Sequence, residues 1–302
     1  MMKAIDTYLA VRRAAGFDLS VQEYLLKSFD RFASEREETH VRTQTVVQWA
    51  SLGPSTEQRD TRLRTVARFA RHVHAEDDRH EVPPEAFFGY RKKRRVPFIY
   101  SRSDIERLVG AASCLHPAGS LRPHTYSTLF ALLAATGLRI SEALALRFKD
   151  ITPEGLIIQN TKFQKTRLVP LHETAAAGLE RYLIRRRRIL TEDDHVFISV
   201  KRTPLSRQSV YSTFLRLLKT IGLERIHSGR RPRIHDLRHT FATRALEESP
   251  EGRDDIGRHM LALSTYMGHA TVQSTYWYLQ VTPQLMKDIS ETCEAFHQKE
   301  AS

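Results

Sequence analysis

Residues 83–97 interrupt this chain in a way that no helix or sheet carries through. Pro83-Pro84 opens the stretch, and Tyr90-Arg91-Lys92-Lys93-Arg94-Arg95-Val96-Pro97 closes it. Proline removes a backbone donor and drives the residue before it out of helical geometry. Prolines bracketing five consecutive cations therefore predict an extended linker, read here as 89–97. The 302 residues divide into a part at 1–88 and a part at 98–302, each long enough for its own core.

Hydrophobic residues make up 41% of the chain, which excludes global disorder. The formal charge is +12, which points to a polyanionic partner, although a basic protein can also be merely soluble. Cys114 and Cys293 stand far apart, which argues against a disulfide framework and against a multi-cysteine zinc site. No apolar stretch approaches the roughly 18 residues of a membrane span. The start, Met1-Met2-Lys3-Ala4-Ile5-Asp6, lacks an apolar signal core, so the expected location is the cytoplasm.

The first part reads as short amphipathic helices without a strand. Ile5, Tyr8 and Leu9 fit one apolar face, and Leu25, Phe29 and Phe32 another. Thr43 is expected to cap a helix carrying Val46, Val47 and Ala50. In the next helix Leu63, Val66, Ala70 and Val73 line one side, and Arg64, Arg68 and Arg71 the other. Those arginines are either a solvated face or a face that tracks phosphates; the basic run Arg91, Lys92, Lys93, Arg94 and Arg95 reads as a nuclear signal, a solvated tether or a stretch lying along the phosphate backbone.

The second part is expected to be mainly α-helical with one small antiparallel sheet. Ser103 and Glu106 fit a capping box before Ile105, Leu108 and Val109. Residues 125–136 read as a buried helix stopped by Gly137, and Arg139 opens the next helix. Leu156-Ile157-Ile158 and Arg167-Leu168-Val169-Pro170-Leu171 read as paired strands joined by Asn160-Thr161-Lys162-Phe163-Gln164-Lys165.

Chemistry concentrates in separated segments. On a helix, His235, Arg238 and His239 share an arc of about 100°, while Leu237 and Phe241 point elsewhere. A zinc reading would use His235 and His239, but Asp236 stands where zinc peptidases place a glutamate. Arg139 and Glu142 can pair on a surface, or Arg139 can project into a cleft and meet Arg238. Two guanidiniums there would grip one phosphodiester and favour its pentacoordinate state. Near the end, Gly268-His269 precedes Tyr276-Trp277-Tyr278, and residues 276 and 278 of a helix lie about 200° apart, so only one can face the site. Lys162 or Lys165 would supply a proton to a leaving oxygen. No Walker loop, Rossmann fingerprint or nucleophile elbow occurs, so nothing argues for ATP, and energy stored in a phosphotyrosyl bond would make both ATP and a metal cofactor unnecessary for rejoining strands.

Arginine, lysine, His-x-x-Arg, Gly-His and tyrosine, in this order, resemble the tyrosine recombinases of the lambda-integrase family, Xer-type enzymes included. The resemblance covers residues 98–282, and the helical part before it is similar to that family's core-binding domain. It implies Arg139, Lys162, His235, Arg238 and His269 as catalytic residues, Tyr278 as nucleophile and Glu142 as an accessory acid. It implies a two-domain clamp on double-stranded DNA bearing inverted-repeat core sites, and a 3′-phosphotyrosyl intermediate. Dimers on one site, tetramers in synapsis and accessory proteins belong to the same expectation. Leu285, Ile289, Cys293 and Phe296 form an apolar stripe, so a docking helix is expected at about 284–298. The charged connection at 247–262 is longer than in compact Xer proteins and resembles mobile-element recombinases. Two other classes fit the same residues: a DNA-binding protein without turnover, and a type IB topoisomerase.

Overall fold

The computed structural model describes residues 1–90, 95–159, 166–224, 231–247, 253–268 and 275. The chain separates into two compact units, Met1–Arg95 and Val96–Ser302.

The first unit is built from α1 (Met2–Ala14), α2 (Ser20–Ser34), α3 (Thr43–Ser51) and α4 (Thr56–His74). Ile5, Leu26, Phe29, Leu63, Val66, Phe69 and Ala70 are fully buried between them. The apolar faces anticipated from helical periodicity meet here, and Phe29 and Trp49 join edge to face at 5.4 Å. One cap differs from expectation. Thr43 is the first residue of α3 and not its cap: Arg42 holds the cap position without a side-chain bond. The Glu81 carboxylate accepts the Thr43 N–H at 2.7 Å instead. A full negative charge at a helix start is favoured by the macrodipole, which removes the need for a hydroxyl.

The second unit opens with α5 (Arg102–Ser113), α6 (Leu121–Thr136) and α7 (Ile140–Ala145). The strands β1 (Ile151–Thr152), β2 (Gly155–Ile158) and β3 (Arg167–Val169) follow, then α8 (Glu173–Arg187), α9 (Arg207–Thr220), α10 (Ile234–Glu247) and α11 (Arg253–Met267). The strands form an antiparallel sheet in the order β1-β2-β3, with Leu156 opposite Val169. β1 escapes sequence reading because two residues carry no period. The capping box of α5 uses Ser101 and Asp104, not Ser103 and Glu106. Glu106 instead receives a hydrogen bond from Arg102 at 3.1 Å.

α6 is the spine of this unit. Leu129, Phe130 and Leu133 are buried, each contributing about 1.5–3 kcal/mol of apolar transfer. Gly137 ends the helix at φ 62°, and a Cβ there would stand 2.6 Å from the Phe241 ring of α10. Glycine is required twice over, by the left-handed turn and by the close approach of α10. Among the described residues no helix is long and apolar enough to cross a membrane.

Candidate active site

The last carbonyls of a helix have no partner within it, and they carry its negative dipole end. Two such ends, those of α6 and α11, are met by arginines. Arg238, in the first turns of α10 and only 2% exposed, donates Nη1 to the Gly137 carbonyl at 2.6 Å and Nη2 to the Met267 carbonyl at 2.5 Å. Arg139, at the cap of α7, donates Nη2 to the Gly268 carbonyl at 3.1 Å. The two guanidiniums thus seat on adjoining carbonyls, 267 and 268, and the side chain of Arg139 remains one-third exposed at 32%.

Glu142 stands beneath Arg139. Its Oε2 accepts the Arg139 backbone N–H at 2.9 Å and its Oε1 accepts Arg139 Nη1 at 2.7 Å. Arg167 of β3 then approaches the same carboxylate with both prongs, at 3.1 and 2.8 Å. Burial alone would raise the pKa of Glu142. Hydrogen bonds from Arg167 and the Arg139 backbone more than offset it and hold the carboxyl at about 2.

α10 positions the central pair. Arg233 pairs with the buried Asp236 at 2.7 Å, and its backbone N–H donates to the same carboxylate at 2.8 Å. One turn on from Asp236 and on the same side of the helix, Thr240 accepts the Tyr100 N–H at 2.9 Å. The arc carrying His235, Arg238 and His239 is not a uniformly solvated face: Arg238 and His239 are buried, while His235 is exposed. The rings of His235 and His239 meet edge to face at 4.6 Å. Although the His235 ring reaches solvent, the protein around it, then Arg238 and Arg233, push its pKa down to about 4. At neutral pH it is an uncharged imidazole, able to accept a proton. Tyr266, stacked on Phe241, is pushed up to about 12 by burial and is a poor nucleophile.

Lys162 and its alternative Lys165, His269, and Tyr278 with its alternative Tyr276 lie outside the described residues, as do Arg91, Lys92, Lys93, Arg94 and the helix expected at 284–298. Gly268, described and at φ 64°, immediately precedes His269. In the first unit, Arg64 pairs with Asp60 at 2.7 Å and Arg71 pairs with Glu85. Arg68 and Arg95 are exposed. The arginine that sequence reasoning missed is Arg167. Alternation along β3 carried the signal, since Arg167 shares the inward face of buried Val169 while Leu168 points out.

Two groups of His and Asp among the described residues bring ligand-type atoms within 4.8 Å of one another: His40, Asp77 and His80, and Asp193, Asp194 and His195. Protein partners already engage the first. His80 Nδ1 accepts the Val41 N–H at 3.0 Å, and Arg79 contacts both Asp77 oxygens at 2.7–3.2 Å. In the second, Asp194 receives Arg147 at 2.5 Å and Asp193 contacts His195 at 2.6 Å.

The fold and this cluster of cations define a class. Residues 101–284 match the phage integrase family. An integrase/recombinase of Sinorhizobium fredii (strain NBRC 101917 / NGR234) is 38% identical, over 97% of this chain and 96% of its own length. The chain belongs to the phage integrase family, that of the tyrosine recombinases. Solved structures share the fold. XerH bound to a palindromic difH substrate, a post-cleavage complex, aligns with a TM-score of 0.66 at 17% identity, over 91% of this chain and 78% of that one. A lambda integrase tetramer bound to a Holliday junction gives 0.64 at 18%, over 92% and 76%. The Tn1549 transposon integrase in complex with transposon right end DNA gives 0.63 at 17%, over 96% and 98%.

Proposed function

We propose that this chain is a site-specific DNA recombinase that cuts and rejoins duplex DNA through Tyr278, integrating, excising or transposing a mobile element. The observation that carries the reading is the seating of Arg139 and Arg238 on neighbouring helix-end carbonyls, one residue before His269. Carbonyl dipoles hold a guanidinium in place without cancelling its charge. Arg139, which also pairs with Glu142, keeps about a third of its side chain open to a phosphate.

In this mechanism the Tyr278 oxygen attacks phosphorus and the 5′-oxygen leaves, giving a 3′-phosphotyrosyl ester. His235, neutral above about pH 4, accepts the phenolic proton. Arg139 and Arg238 stabilise the phosphorane, each by about 3–4 kcal/mol on the scale of other preorganised donors. His269 donates to the same phosphate, and Lys162, or Lys165, protonates the departing oxygen. The ester conserves the energy of the broken bond, so rejoining by a 5′-hydroxyl of a second duplex needs neither ATP nor metal. The first unit and the basic run 91–95 serve as the core-binding half of the DNA clamp, with Arg68 at its surface. The names of the similar proteins support DNA core sites, dimers on one site and tetramers at a junction. The reading places its work in a bacterial cytoplasm, on the DNA of the nucleoid.

A nicked suicide duplex tests the reading. Mixed with the chain, it is expected to yield a covalent protein–DNA adduct that Tyr278→Phe abolishes and Tyr276→Phe retains. Binding without any adduct would make the chain a DNA-binding protein without turnover. Relaxation of supercoiled DNA without partner exchange would make it a topoisomerase.

A further inference from the structure

One carboxylate, two guanidiniums and four hydrogen bonds meet at Glu142. Resting on the recombinase reading above, we propose that Arg167 is a positioning residue that shares Glu142 with Arg139 and thereby keeps the charge of Arg139 available to the phosphate.

Charge balance is decisive here. Arg139 and Glu142 alone, as neighbours three residues apart, would form a neutral pair. A phosphodiester approaching such a pair meets a cation already matched by a closer carboxylate. With Arg167 the cluster of two cations and one anion is left at +1. The member that faces solvent is Arg139, at 32% exposure, while Arg167 and Glu142 are at 10% and 7%. The spare charge therefore sits where a phosphate can reach it.

Geometry adds a second role. Arg167 donates Nε to the Tyr266 carbonyl at 2.8 Å. Its guanidinium also lies flush against Gly268, where any Cβ would come within 2.8 Å of Nη1. One side chain of β3 thus braces the carboxylate under Arg139 and the backbone that precedes His269. A lysine in its place would keep the charge but could not span a bidentate carboxylate and a carbonyl together.

The experiment separates charge sharing from plain packing. A nicked duplex is first recovered from a randomised pool by covalent capture with the wild-type chain. Single-turnover cleavage of that duplex is then measured at saturating protein. Arg167→Met is expected to cleave about 10- to 100-fold more slowly, with DNA affinity within about threefold. Arg167→Lys is expected to recover part of the loss. The Arg167→Met/Glu142→Gln double variant, whose cluster again carries +1, is expected to cleave faster than Arg167→Met alone, a reversal that lost packing would not produce. Cleavage by Arg167→Met within about threefold of wild type, or a double variant no faster than the single, overturns the proposal.

Titration of the DNA-free chain tests the shared carboxylate independently of cleavage. Carbon-13 NMR of labelled Glu142 is expected to find the wild-type carboxylate ionised down to about pH 4, and to find proton uptake above that in Arg167→Met. Should Arg167→Met fail to fold by circular dichroism, the same titration of Arg167→Lys is expected to show proton uptake at higher pH than in wild type. A titration unmoved by substitution at 167 overturns the proposal. If the pool yields no adduct with wild type, the recombinase reading fails, and the titration still decides whether Arg167 shares Glu142.

Discussion

The two units hold their arginines in opposite ways. In the first, Arg64 reaches back to the buried Asp60 with its own side chain at the surface, and Arg71 forms an exposed pair with Glu85, both on the flank of α4. In the second, Arg238 is buried against the Gly137 and Met267 carbonyls, and Arg139 shares its carboxylate with Arg167. An exposed pair such as Arg71–Glu85 sits in high dielectric and opens readily to a competing anion. A guanidinium held by fixed dipoles cannot swing, and it suits chemistry at one phosphate. The contrast is between charge that is lent and charge that is aimed.

The strongest way to break this comparison is Arg238→Met. It strands two helix-end carbonyls, and the expected loss of stability is about 2–5 kcal/mol, read by urea unfolding of the full chain. A loss below about 1 kcal/mol would place Arg238 with the surface pairs.

Acid is the next lever. The folded value of His235 is about 4, below its ordinary 6.5, so the unfolded chain takes up the proton first. Stability from this group is complete above about pH 6.5 and drains away as pH falls towards 4. Glu142, at about 2 against 4.5, continues the decline below pH 4.5. Thermal melts between pH 4 and 8 should therefore fall on the acid side, and His235→Gln should flatten the upper window only. An unchanged slope in that variant would exclude His235 as the source.

A smaller effect sharpens the comparison of local structure. Ser101→Ala should cost about 1 kcal/mol through the lost cap of α5, whereas Ser103→Ala should cost a few tenths at most. Equal losses in chemical denaturation would return the cap to Ser103. The smallest effect belongs to Arg71→Met, expected within about 0.5 kcal/mol because its partner is an exposed carboxylate.

Local signals were legible in the chain, and relayed ones were not. The stop at Gly137, the cap position of Arg139 and the polar run on α10 follow from spacing and turn chemistry within a few residues. The choice between Ser101 and Ser103 is a near tie in sequence, because both stand three residues before an acid. The difference lies in Glu106, which Arg102 engages across one turn. Arg167 was hidden for another reason. Its partners stand 25 and 99 residues away, so nothing beside it in sequence announces the contact. Its inward place on β3 was visible, but the meaning of that place required Glu142 to be seen from below.

The contacts of Arg139 with Gly268 and of Arg238 with Gly137 join positions 129 and 101 residues apart. A ribosome therefore delivers the first guanidinium long before the carbonyl that seats it. Until the segment through residue 268 has emerged and docked, the growing polypeptide carries Arg139 and Arg238 without the carbonyls of Met267 and Gly268 that seat them. The seating is thus a late, long-range product of folding that no local segment can form alone.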